Sequence, residues 1–204
     1  MDVPRETATA VFGTALPLAE RYAELLATDG LTRGLLGPRE GPRLWSRHLL
    51  GSAVLARACP ATGVVADIGS GAGLPGIPVA LVRPDLTVRL VEPLLRRATF
   101  LQEVVATLEL PRVEVLRARA EDCQWTADLV LARAVAPLAR LVPWCLPLVA
   151  PGGSLLAVKG DRAHDELASA EPVLRRSRAV SWEVEELGAD VLDAPVRVVR
   201  VRVG

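Results

Sequence analysis

The 204-residue chain contains no asparagine and a single lysine, Lys159. Both residue types are read from AT-rich codons, so a GC-rich coding sequence accounts for the skew, and the cationic side chains are almost all arginine. Against that bias, a lysine at the C-terminal end of the apolar run Leu155–Val158, followed by Gly160, marks a candidate functional position. Net charge is also lacking: 24 basic and 24 acidic residues cancel, which excludes a strong global field drawing the chain to nucleic acid while leaving local patches open. Cysteine is sparse and scattered, at Cys59, Cys123 and Cys145 without C-x-x-C spacing, which gives no metal framework and fits a reducing compartment. No uninterrupted apolar run reaches about 18 residues and no charged-then-apolar leader is present, so neither a membrane span nor a secretory signal is indicated. A cytoplasmic location is expected.

What is there centres on Val64–Pro78, where an apolar run ends in Asp67 and is followed by Gly69, Gly71, Gly73 and Gly76. A strand entering such a turn brings bare backbone within reach of a small polar ligand. Gly71–Gly76 satisfies the dinucleotide G-x-G-x-x-G pattern when read literally. In that fingerprint, however, the first glycine follows the strand directly, whereas here an acid closes the strand first. A fixed carboxylate would repel a pyrophosphate and attract the ammonium of an amino-acid tail, which favours S-adenosylmethionine over a dinucleotide. Glu92, closing the apolar run Val88–Val91, suits a ribose diol in either class.

The first 60 residues read as a helical segment, 1–60, with apolar positions at three and four spacing over Glu6–Thr28 and again over Leu44–Arg57. Between them, Thr28–Pro42 is rich in glycine and proline and carries Arg33 and Arg39, which predicts an exposed, mobile, basic loop. From there the cofactor-binding domain, 61–204, alternates short strands with helices, an α/β pattern of parallel sheet and crossovers. Strands are expected near 63–68, 87–91, 113–117, 128–132 and 153–158, and helices near 76–83, 95–108, 137–148 and 162–176. Ala179–Leu187 and Val196–Val203 then form an antiparallel terminal hairpin, as in a class I methyltransferase sheet. The strand ends would gather Asp67, Glu92, Arg119–Asp122, Arg133 and Lys159 around one crevice. Glu121 or Asp122 would place an acid near an adenine amino group. Three arginine clusters, Arg96–Arg97, Arg117 with Arg119, and Arg175, Arg176 and Arg178, are open to reading as an RNA footprint or as solvated faces.

These residues resemble the bacterial small-subunit (16S) ribosomal RNA guanine-N7 methyltransferases, the glucose-inhibited division protein B family. The strongest segment is Asp67–Pro78, with its Gly-Leu-Pro-Gly-Ile-Pro ending; Arg96–Arg97 with Phe100–Leu101, Ala132–Ala136, Val158–Gly160 and Arg47–Ser52 support it. The chain departs from the family at Gly51, where an acid or amide is usual, and at Thr32–Leu36. The resemblance implies a seven-stranded Rossmann-like fold and S-adenosylmethionine as cofactor, with 16S rRNA in the small subunit or its precursor as partner and neither metal nor membrane. It implicates Gly69, Leu74, Ala120, Glu121 and Arg133 in cofactor contact, beside Asp67, Gly71, Gly73 and Glu92 from the turn itself. Arg133, Lys159 and His48 are candidates for positioning the substrate, with Arg197 or Arg200 as further phosphate ligands. For each a structural role is the alternative: an ion pair for Arg133, helix packing for His48. Guanine N7 carries a lone pair and no hydrogen, so attack needs alignment rather than a base. Carbon-5 pyrimidine methylation would need a cysteine nucleophile, for which no cysteine is placed. A small-molecule or protein methyltransferase, a nicotinamide-dependent oxidoreductase and a cofactor-binding assembly factor without turnover remain the rival readings.

Overall fold

A computed structural model describes residues 2–37 and 40–204. Five strands, β1 (Val64–Ile68), β2 (Thr87–Val91), β3 (Val113–Leu116), β4 (Ala127–Arg133) and β5 (Val149–Val158), lie parallel. β6 (Ala179–Leu187) and β7 (Val196–Val203) close one edge as an antiparallel pair, in the order β3-β2-β1-β4-β5-β7-β6. The central strands are apolar on both faces because helices cover both, as a buried parallel sheet requires. On one face pack α4 (Gly76–Val82) and α5 (Leu95–Thr107), and on the other α6 (Leu138–Cys145) and α7 (Ala163–Leu174). The strand order reverses between β1 and β4, which makes the C-terminal ends of these two strands the switch point at which open α/β sheets bind ligands.

The strand and helix positions expected beyond residue 63 agree with the structure to within a few residues; β5 begins earlier, at Val149. The N-terminal part is more broken than its periodicity predicts. Gly13 takes φ 53°, so the expected single helix divides into α1 (Arg5–Phe12) and α2 (Leu16–Leu25), the latter continuing as a π turn over Leu26–Gly30. Leu44–Leu50 is π-helical, Gly51–Ala53 forms α3, and Val54–Ala58 is a 3-10 turn. These helices bury Phe12, Tyr22, Leu26, Leu49 and Leu55 in the same core as α4 and α5. The expectation of an exposed loop over Thr28–Pro42 is corrected. Gly30 is buried, Leu35 and Leu36 pack on the core, and Arg33 is held 2.7 Å from Glu103 and 3.6 Å from Asp29. Pro38 and Arg39 of that segment lie outside the described residues.

Candidate active site

The glycine turn sits at the switch point and is fixed from three sides. Gly69 and Ser70 donate to the Val91 carbonyl at 2.9 and 3.1 Å, tying the turn to the end of β2. Asp67 is fully buried and accepts a 2.9 Å hydrogen bond from the Gly76 amide, so it lies behind the turn. A Cβ at Gly76 would stand 2.8 Å from Asp67 Oδ2 and closer still to Leu90, so only glycine lets the start of α4 come down on the carboxylate. Burial pushes the Asp67 carboxyl up to about 7, against the Gly76 and Ser70 hydrogen bonds that lower it. Its Oδ1 is buried without a hydrogen-bond partner among the described residues. The third brace is Tyr22 of α2, whose buried hydroxyl donates to the Ala72 carbonyl at 2.6 Å.

The turn leaves open backbone on its outer side. Gly69 and Gly71 adopt φ 69° and 58°, which L side chains rarely take, and nothing nearer than the Gly69 carbonyl, at 3.8 Å, would meet a Cβ at Gly71. Gly73 and Leu74 face inward, with Gly73 against Tyr22 and Ile77. Glu92 is buried, and its two oxygens accept from the Gly71 and Leu94 amides, each at 2.9 Å. Ala120, buried, and Glu121, exposed, stand on a short 3-10 turn after β3.

Beyond β4 the backbone turns sharply, with Ala134 at φ 56°, so that Val135 lies directly over Gly69. Residues Arg133–Pro137 form one wall of a cleft of about 860 Å³, whose other walls come from the N-terminal helices and the segment between β6 and β7. Arg133 crosses from the sheet to the N-terminal part. Its guanidinium donates to Ser52 Oγ at 2.8 Å, to the Arg47 carbonyl at 3.2 Å and to His48 Nδ1 at 3.0 Å. Because Nδ1 accepts, the proton of neutral His48 is on Nε2, 2.6 Å from Glu40 Oε2. Burial lowers the His48 pKa and Arg133 adds to the effect, against Glu40, which raises it. Lys159, equally hidden, reaches the Ala136 carbonyl at 2.6 Å and Glu166 at 2.8 Å, while the same Glu166 oxygen accepts from the Leu138 amide at 2.8 Å.

The family description that matches the chain, over residues 15–192, is GidB, rRNA small subunit methyltransferase G. The chain belongs to this family. Among its curated relatives, the ribosomal RNA small subunit methyltransferase G of Nocardioides sp. is 56% identical over 98% of this chain and 84% of its own length. That of Thermobifida fusca is 53% identical over 98% and 86%. Among solved structures, a SAM dependent methyltransferase from Aquifex aeolicus superposes with a TM-score of 0.60 at 16% identity, covering 80% of this chain and 94% of that one. The class I methyltransferase fold, the enzyme class and S-adenosylmethionine as cofactor are borne out by membership, and the dinucleotide reading falls. The family's acceptor is ribosomal RNA.

Geometry also corrects the sequence reading at several residues. Asp67 does not face the ligand, because glycine at position 76 lets the turn fold over it. Lys159 is not a free phosphate ligand; it ties the loop after β4 to α7. Arg197 and Arg200 are likewise committed, to Asp161 and Glu186 at 2.8 Å and to Glu185 at 2.6 Å. Among the described residues Arg133 forms no ion pair with a neighbouring acid; a hydroxyl, a carbonyl and an imidazole hold it instead. Of the arginine clusters, Arg175 pairs with Glu171, and Arg178 donates to the Leu146 and Val149 carbonyls at 3.0 and 2.7 Å. They stand at the strands' opposite end, where β6 begins. Sequence reasoning missed Tyr22, Glu40, Ser52 and Glu166. Only Tyr22 left a signal, as the single tyrosine of the chain on the apolar stripe of a helix.

Proposed function

We propose that this chain transfers a methyl group from S-adenosylmethionine to N7 of a guanine in 16S rRNA, acting in the cytoplasm on the small ribosomal subunit or its precursor. What carries the reading is the pairing of family membership with a cleft whose wall adjoins the glycine turn through Val135 and which presents the exposed guanidinium of Arg47 as a donor. N7 has no proton to lose, so a crevice that offers hydrogen-bond donors and alignment suffices. In support of a nucleophile-free route, burial pushes the Cys145 thiol up to about 12 and the Cys59 thiol up to about 11, far from the thiolate that pyrimidine methylation needs. Among the described residues no helix is long and apolar enough to cross a membrane.

The residues fit the cofactor: bare backbone at Gly71 receives its amino-acid moiety, Glu92, whose oxygens hold the Gly71 and Leu94 amides, fixes the strand end on its ribose side, and Ala120 with Glu121 lies toward its adenine, while Gly69, Gly73 and Leu74 shape the turn. When bound, the cofactor supplies a sulfonium methyl as electrophile. Arg133, braced by Ser52, the Arg47 carbonyl and His48, fixes the acceptor-side wall between the sheet and the N-terminal helices, with Glu40 holding the imidazole tautomer and Lys159 holding the Ala136–Leu138 wall. In this reading the helical segment 1–60 shapes the substrate side and 61–204 holds the cofactor. The test is to incubate small subunits lacking the modification with the enzyme and cofactor, digest them, and separate the nucleosides. The expected product is 7-methylguanosine; a different methylated nucleoside, or none with cofactor binding intact, contradicts the reading.

A further inference from the structure

Six charged side chains line the cleft next to the glycine turn: Arg47, Arg133, Lys159, Glu166, Asp193 and Arg197. Four are satisfied by the protein. Arg133 is held by Ser52, His48 and a carbonyl, Lys159 and Glu166 hold each other at 2.8 Å, and Arg197 pairs with Asp161 and Glu186. Two are not. Asp193, exposed in the segment between β6 and β7, has no ion pair or hydrogen bond among the described residues. Arg47 is 57% exposed, and its nearest acid, Glu40, stands 3.8 Å away and is already bonded to His48 at 2.6 Å. An unused acceptor and an unused donor therefore share one cleft.

Resting on the guanine-N7 reading, we propose that these two residues read the Watson–Crick edge of the acceptor base, with Asp193 accepting from guanine N1–H and the N2 amine and Arg47 donating to O6. Guanine presents two donors and then an acceptor along that edge, and N7 lies next to O6 around the ring. The order agrees with the fold. The Arg47 backbone is bonded to Arg133 at the end of β4, and two residues on Val135 lies over Gly69, so an O6 held by Arg47 sits on the glycine-turn side of the cleft with N7 beside it. Asp193 belongs to the segment leading into β7, two strands from β4 in the order β4-β5-β7, and takes the far edge. Adenine also carries N7, and alignment on that atom alone would not reject it. Against Asp193, adenine presents the N1 lone pair, so the carboxylate excludes it by repulsion and by a lost hydrogen bond. The cleft then takes a base turned out of its stack, as enzymes acting on a base require.

The test pairs an enzyme change with a base change. Small subunits are reconstituted with rRNA carrying either guanine or inosine at the site the wild-type enzyme methylates; inosine keeps N1–H, O6 and N7 but lacks the N2 amine. Wild-type kcat/KM falls about 10-fold or more on inosine, the usual loss for one hydrogen bond to a charged group. Asp193→Ala falls by at least that factor on guanine, since it loses the N1–H bond as well, and shows no further inosine penalty, with cofactor affinity by calorimetry unchanged. The proposal is overturned if the wild type treats both bases alike, or if the inosine penalty persists in the variant. Should Asp193→Ala lose cofactor binding, Asp193→Leu, which keeps the size of the side chain without an acceptor, is read by the same two criteria. A wild-type enzyme that forms no 7-methylguanosine on the guanine substrate refutes the guanine-N7 reading instead, so the two failures are distinct.

Discussion

Asp67 places a titrating carboxyl under the glycine turn, and burial raises it from 3.8 to about 7. Between those values the native state keeps a proton that the unfolded chain has released. Its contribution to stability is therefore fully present below the unfolded value and is lost as pH rises through the folded one. Asp2 and Glu166 are shifted downward and act in the opposite sense, so the comparison is with Asp67→Asn, which leaves them in place. Chemical denaturation from pH 4 to 8 should show the wild type losing stability relative to Asp67→Asn as pH rises, at up to about 1.4 kcal/mol per pH unit. Parallel curves would contradict the burial argument. That an acid closes the strand was legible in the sequence. That it turns inward was not, because this follows from the room left by a missing Cβ nine residues later.

At the scale of elements, the N-terminal helices brace the glycine turn through the hydrogen bond from Tyr22 of α2 to the Ala72 carbonyl. Removing that hydroxyl leaves a buried carbonyl unpaired and costs about 1–3 kcal/mol. Tyr22→Phe is accordingly expected to weaken S-adenosylmethionine binding about 5-fold or more in calorimetry while far-UV dichroism is preserved; unchanged affinity would show that α2 packs on the turn without shaping it. The strands and crossovers beyond Gly63 were readable because each apolar run is short and bounded by glycine, proline or charge. The segment 28–43 was not: its glycines and prolines signal a loop, but Leu35 and Leu36 find the core and Arg33 finds Glu103 only in three dimensions. Lys159 stood out through codon bias and turned out to matter for another reason, as the tie between β5, α7 and the loop after β4.

Over the whole molecule, zero net charge hides an uneven use of arginine. At the β6–β7 edge Arg202, Arg200 and Arg197 pair with Glu183, Glu185 and Glu186, which removes them from any RNA footprint. Arg47, Arg96, Arg97, Arg117 and Arg119 lie on the N-terminal part or after the C-terminal ends of β2 and β3, around the glycine turn, with Arg47 and Arg97 each 3.8 Å from an acid, Glu40 and Glu92. A modest basic rim without a global field binds free RNA weakly and gains its affinity where several surfaces are presented together. The decisive measurement is methyl transfer from labelled S-adenosylmethionine to unmodified small subunits and, in parallel, to naked 16S rRNA, followed by reduction and aniline cleavage at N7-methylguanine. The account predicts a single cleavage site and faster incorporation into the subunit. Incorporation without cleavage, or none at all by an enzyme that still binds the cofactor, would contradict it.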